Sequence, residues 1–147
     1  MVRPPLPQAE FDAIFSRVPR LTVEAVILDP DRGVLLNRRD IEPCIGLWHL
    51  PGGTVRFGEP VVDAVARVAR AELGIAVRAR ELLGYIEYPS HYLNGLDSPV
   101  GLAFAAEPLD GSPDAAALPG EWAWFTRVPE VIHPEQAAFL RDTLGLP

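Results

Sequence analysis

The residues of this chain whose types and spacing could do chemistry concentrate in GGTVRFGEPVVDAVARVARAELGI, residues 52–75. A glycine pair, Gly52 and Gly53, opens a turn. Gly58 follows in a short loop, and Glu59, Arg67 and Glu72 then recur along what reads as a helix. Pro60 suits a first helical turn, where its missing N–H is no loss. Glu59 suits the positive end of the helix dipole, and Gly74 after Leu73 is a stop signal. The periodicity predicts a core-facing stripe of Val62, Val65, Ala66, Ala69 and Leu73. Asp63 and Arg67 form an i,i+4 pair away from it, and a narrower edge carries Ala64, Val68, Ala71 and Glu72. Glu72 is the single carboxylate on that edge. Taken alone, a helix carboxylate beside a core stripe is an ordinary solvated group.

Other candidates are scattered. Arg38 and Arg39 end a strand and Arg56 sits in the glycine loop. Planar guanidinium groups of fixed charge match phosphate oxygens, although each of these three equally suits a solvated strand end or loop. His49, two residues before Pro51, reads as a packed structural residue, and His133 as a local feature of the last helix. His91 and Tyr92 stand together in a loop, 90–98, that could border a pocket. Glu121 closes the long loop 109–121, and loops of that length on a rigid scaffold often carry function. Tyr85 and Glu87 share one strand face, as do Trp122 and Trp124. Core packing is the first reading of these aromatics, and a nucleobase stack the second.

The spacing resembles the signature of the Nudix hydrolases: a glycine, five residues, Glu, seven residues, then Arg-Glu-U-x-Glu-Glu-x-Gly-U, with U a large aliphatic. Gly53, Glu59, Arg67, Glu72, Gly74 and Ile75 fall in register, after the family-like run GLWHLPGG at 46–53. Matches at fixed offsets in a strand–loop–helix context are far more specific than a lone glycine motif. Three positions depart. Val68 and Ala71 stand where the family has glutamates, and Ala69 is smaller than the usual aliphatic. The resemblance implies an α/β fold, the family's α/β/α sandwich with a mixed β-sheet. It also implies Mg²⁺ (or Mn²⁺) held by Glu72 and the main-chain carbonyl of Gly52, with Glu59 and Arg67 bracing loop against helix. Mg²⁺ is commonly held by only one or two carboxylates plus waters and phosphates, so a single surviving glutamate still admits a site.

A general base at Val68 or Ala71 is excluded by their side chains. The resemblance puts Glu121 first for that role, since the family often draws a base or extra ligand from this region, and His91 second. The implied activity is hydrolysis of a nucleoside diphosphate linked to another moiety, with Arg38, Arg39 and Arg56 as phosphate contacts. One alternative is the GDP-mannose mannosyl hydrolase branch, which also has a reduced box. Arg39, Arg67 and Glu72 resemble residues used there, but residues 109–121 lack that branch's histidine and Thr54 replaces its arginine. Another is a nucleotide-binding module of the same fold without catalysis, which Val68 and Ala71 favour.

Elements must position these groups. The pattern predicts a helix over Pro7 to about Val18, strands over 21–29 and 34–40, and a connecting loop over 41–49. After the central helix it predicts one long bent strand or two short ones over 75–89, strands at 99–108 and 122–126, and a helix over 133–145. A chain of 147 residues, 48% hydrophobic and 22% charged, fits one globular domain spanning 1–147. The net charge of −7 argues against a nucleic-acid partner. Cys44 is the only cysteine, so no internal disulfide forms, in keeping with a reducing cytoplasm. No stretch reads as a membrane span or targeting signal. A small nucleotide is the expected partner, and a homodimer the expected assembly.

Overall fold

The structure is a computed structural model that describes residues 1–147. In chain order its elements are α1 (Gln8–Phe15), β1 (Arg20–Val26), β2 (Leu28–Asp29), β3 (Gly33–Arg38), β4 (Trp48–His49) and β5 (Gly52–Thr54). There follow α2 (Val61–Leu73), β6 (Val77–Glu87), α3 (Pro89–Tyr92), β7 (Pro99–Pro108), a 3₁₀ turn at Ala115–Ala117, β8 (Trp122–Phe125) and α4 (Pro134–Asp142). The main sheet runs β5-β1-β7-β6 and is mixed. β1 lies parallel to β7 from Arg20↔Pro99 to Val26↔Ala105, and antiparallel to β5 from Thr22↔Thr54 to Glu24↔Gly52. A second sheet is built on β3, which pairs with β2, β4 and β8.

Alternation along β1 divides the interior. Val23, Ala25 and Ile27 join the core under α2, whose buried residues are Ala64, Val65, Val68, Ala69 and Leu73. Val26 joins the core on the other side, under Phe139 and Leu140 of α4. A sheet with a helix on each face is the expected α/β/α sandwich. No helix is long and apolar enough to cross a membrane.

Several boundaries differ from the sequence reading. The central helix starts at Val61, with Pro60 as its N-cap at φ −60°, and stops at Gly74, whose φ of +72° is the left-handed turn that glycine permits. Its buried stripe is rotated toward 64–68. Val62 is 46% exposed, while Ala64 and Val68 are buried. Gly53 explains the rotation, because a Cβ there would lie 3.1 Å from Val68 Cγ2, so the bare backbone of β5 lets the helix settle onto that edge. The first strand breaks after Val26 and resumes as β2, and the second strand ends at Arg38. The strand over 75–89 is one element with register shifts between Ala79 and Gly84. The 41–49 loop contains β4, and the short helix α3 begins at Pro89 and occupies the start of the 90–98 loop. Helix α1 buries none of its residues and is not a core helix.

Candidate active site

A cavity of about 660 Å³ opens where β1, β5 and α2 meet α1, α3 and the residues before α4. Gly52 and Glu72 both line it. The Gly52 backbone N–H lies beside the Glu72 carboxylate, whose Oε2 is buried with no hydrogen-bond partner. Burial pushes Glu72 up to about 7, against the opposing pulls of that N–H and of Arg39. An unpartnered buried carboxylate oxygen is costly unless something cationic completes it. The unpartnered Glu72 oxygen therefore fits a hard divalent cation, which takes oxygen donors.

A second carboxylate is brought to the same wall. Glu24 sits at the strand position paired with Gly52, is 5% exposed, and also has an unpartnered Oε2. Its Oε1 accepts hydrogen bonds from Tyr88 Oη at 3.0 Å and Thr22 Oγ1 at 3.3 Å. Gln136 Nε2 donates to Tyr88 Oη at 2.9 Å, and Gln136 Oε1 accepts from the Leu50 N–H at 2.8 Å, so the network ties Glu24 to α4. Gly101 makes the room: a Cβ there would stand 2.0 Å from Glu24 Oε2. Desolvation pushes Glu24 up to about 7, more than its hydroxyl partners lower it. The sequence reading passed over this residue. The available signal was a glutamate inside the β-branched run LTVEAVILD, on the face shared with Thr22 and Val26.

The other expected residues divide. Arg39 and His91 line the cavity. The Arg39 guanidinium is anchored by the Pro43 and Glu42 carbonyls. His91 meets the Tyr88 ring edge to face, with ring centroids 5.4 Å apart. Arg67 braces: its Nε and Nη2 donate to Glu59 at 2.7 and 2.9 Å, and Nη2 also donates to the Thr54 carbonyl at 2.9 Å. That bonding is the leading cause holding the Glu59 carboxyl below its usual range, and neither residue lines the cavity. Arg56 is outside too, its backbone N–H donating to Glu59. Arg38 and Glu121 also lie outside the cavity and face each other at 3.5 Å, with side chains 46% and 60% exposed. The antiparallel pairing of β3 with β8 puts the end of the long loop next to Arg38, away from Glu72. Trp122 is core and Trp124 carries Arg32 on its face. The aromatics that reach the cavity are instead Tyr88, committed to Glu24, and Phe11 and Phe15 of α1, in edge contact at 4.8 Å.

A mixed α/β/α sandwich with a carboxylate site at a glycine-turn-to-helix junction defines a class of metal-assisted hydrolases and their binding relatives. A profile of the NUDIX domain matches residues 18–143, and the chain belongs to the Nudix hydrolase family. It is 42% identical over 104 residues to the low-salt glycan biosynthesis protein Agl8 of Haloferax volcanii, a match covering 69% of this chain and 66% of that protein. Identity to the ADP-ribose pyrophosphatase of Methanocaldococcus jannaschii is 37% over 71 residues, 48% of this chain and 41% of that one. The chain thus spans less than two thirds of either relative's length. Among solved structures, a MutT NUDIX hydrolase from Burkholderia pseudomallei superposes with a TM-score of 0.65 at 31% identity, covering 86% of this chain and 99% of that one. The MutT protein of Methanosarcina mazei Go1 reaches 0.70 at 21% identity, covering 86% and 94%, and shares the fold.

Proposed function

We propose that this chain is a Mg²⁺- or Mn²⁺-dependent hydrolase of a nucleoside diphosphate linked to a second moiety, with Glu72 holding the metal and Glu24 as general base. One observation carries the reading: two buried carboxylates, each with an unpartnered oxygen, flank Gly52 on one cavity wall. Glu72 and the Gly52 carbonyl would hold the ion. When bound, it would neutralise phosphate charge and make water more acidic. The Glu24 carboxylate accepts the proton of the attacking water, while the Tyr88 and Thr22 hydroxyls hold it in place through Oε1. A carboxyl raised to about 7 is matched to that task, because a base works best with a pKa near the working pH. The N–H groups of Arg39 that the loop carbonyls leave free are available to phosphate, and Phe11 and Phe15 offer a face for the nucleobase.

The glycan biosynthesis relative favours a sugar as the second moiety. The GDP-mannose-type reaction, with attack at the sugar carbon, is therefore the second reading. Both are tested by offering nucleotide sugars, ADP-ribose and nucleoside triphosphates with Mg²⁺ or Mn²⁺ in H₂¹⁸O. Label in a phosphate product reports P–O cleavage, and label in the free sugar reports C–O cleavage. Metal-dependent binding without turnover of any substrate would overturn catalysis in favour of a binding module.

A further inference from the structure

We propose that Cys44, His91 and His133 form a second metal site, for a transition-metal ion of the zinc class, with donors distinct from those of the Glu72 site. The three come from separate parts of the chain: the loop between β3 and β4, the short helix α3, and the residue that caps α4. One potential ligand atom from each lies within 4.8 Å of the other two. Both ring nitrogens of His91 are buried without a hydrogen-bond partner, a costly arrangement that a metal bond would relieve. The His91 and His133 rings are held 5.2 Å apart, centroid to centroid.

The surroundings are built for ligation. The Trp48↔Ile132 bridge fixes the segment before α4 against β4, at the foot of the Cys44 loop. Asp97 Oδ1 lies 3.5 Å from His91 Nδ1, and Arg20 fixes Asp97 at 2.6 Å. Asp97 thus stands on the Nδ1 side of the ring without a hydrogen bond to it, and Nε2 is the nitrogen offered to the ion, with Asp97 placed to orient the ring once the metal binds. Bonds of about 2.3 Å to sulfur and about 2.0 Å to nitrogen place tetrahedral ligand atoms roughly 3.5 Å apart, so closure from the observed spacing takes about 1 Å. Cys44 is half-buried in its loop, and we assign that closure to the loop.

Sulfur and imidazole donors select zinc-class ions, whereas Mg²⁺ takes oxygen donors, so the two sites do not compete for one metal. Binding forms one metal–sulfur and two metal–nitrogen bonds and releases the Cys44 thiol proton to solvent. All three residues line the cavity, so three protein donors would leave a fourth position for a water or a ligand oxygen. Assigning the base to Glu24 leaves His91 free for this role.

The test is titration of metal-stripped full chain with Co²⁺ and then Zn²⁺, in excess Mg²⁺. Cys44 is the only cysteine, so a thiolate-to-Co²⁺ charge-transfer band reports this site alone. The expected result is one Co²⁺ per chain with that band and tetrahedral d–d absorption, both displaced by Zn²⁺. Cys44→Ser should abolish the band and weaken Zn²⁺ binding by more than the about 100-fold that loss of an outer partner of a ligand can cost. His91→Ala should weaken it comparably, and Glu72→Gln should leave the band intact. A Co²⁺-saturated wild type without the band, or Zn²⁺ affinity unchanged in both Cys44→Ser and His91→Ala, would overturn the proposal.

Discussion

At the scale of single residues, the site turns on two buried glutamates with different neighbours. Glu72 is beside a backbone N–H, and Glu24 is held by two hydroxyls. Substitution separates their roles. Glu24→Gln should lower kcat by about 10²–10⁴-fold, the range a positioned base contributes, with little change in the Mg²⁺ concentration that gives half-maximal rate. Glu72→Gln should instead raise that concentration steeply, and isothermal titration should show the matching loss of affinity. If Glu24→Gln shifts the metal requirement as Glu72→Gln does, Glu24 is a ligand and the base lies elsewhere. Glu121→Gln should leave kcat near wild type, since its carboxylate faces Arg38 outside the cavity.

At the scale of elements, α2 and α1 each make a prediction. Val68 lies one helical turn before Glu72, buried against the bare Gly53 backbone. Val68→Glu would place a second carboxylate there. Without metal it should cost about 3 kcal/mol, the order expected for an uncompensated buried charge. Added Mg²⁺ should recover much of that loss, visible as a larger metal-induced rise in Tm than in wild type. Helix α1 contributes Phe11 and Phe15 to the cavity while burying none of its residues in the core. Phe11→Ala should therefore raise KM several-fold for nucleotide substrates, leaving kcat and Tm close to wild type. A fall in Tm with unchanged KM would assign α1 a structural role instead.

At the scale of the whole molecule, the buried carboxyls couple stability to pH. Glu24 and Glu72 are both raised to about 7 in the folded chain from an ordinary value of 4.5. Folding therefore favours their protonated forms, and this contribution is complete below about 4.5 and lost as pH rises through 7. Between pH 6.5 and 8 the metal-free protein should lose about 1 kcal/mol for each of them. His133 has the opposite sense. Burial lowers it to about 4 from 6.5, so its contribution is present above 6.5 and lost as pH falls toward 4. Thermal melts of metal-free protein should accordingly fall from pH 6.5 to 8, and Mg²⁺ should remove about half of the decline by charging Glu72 at its own site, leaving the share of Glu24. Flat melts across that window would show that neither glutamate is held neutral.

Local spacing determined the turn and the helix with its stop at Gly74, because those depend on residues a few positions apart. Spacing paired Arg67 with Asp63, whereas the Arg67 guanidinium turns back to Glu59 in the loop, the brace that the family resemblance implied. That Glu72 and Gly52 share a site was implied by the family resemblance, and the fold brings the Gly52 N–H beside the Glu72 carboxylate. Where the partners are far apart in the chain, spacing carried no information. Glu24 meets Gly52 only through β1–β5 pairing, and Tyr88 and Gln136 reach it from 64 residues away and, through Tyr88, from α4. Glu121 looked free at the end of its loop, but antiparallel pairing of β8 with β3 delivers it to Arg38. Cys44, His91 and His133, unremarkable one by one, come within reach of a single ion because strand pairing and the packing of α3 against α4 bring their three segments together.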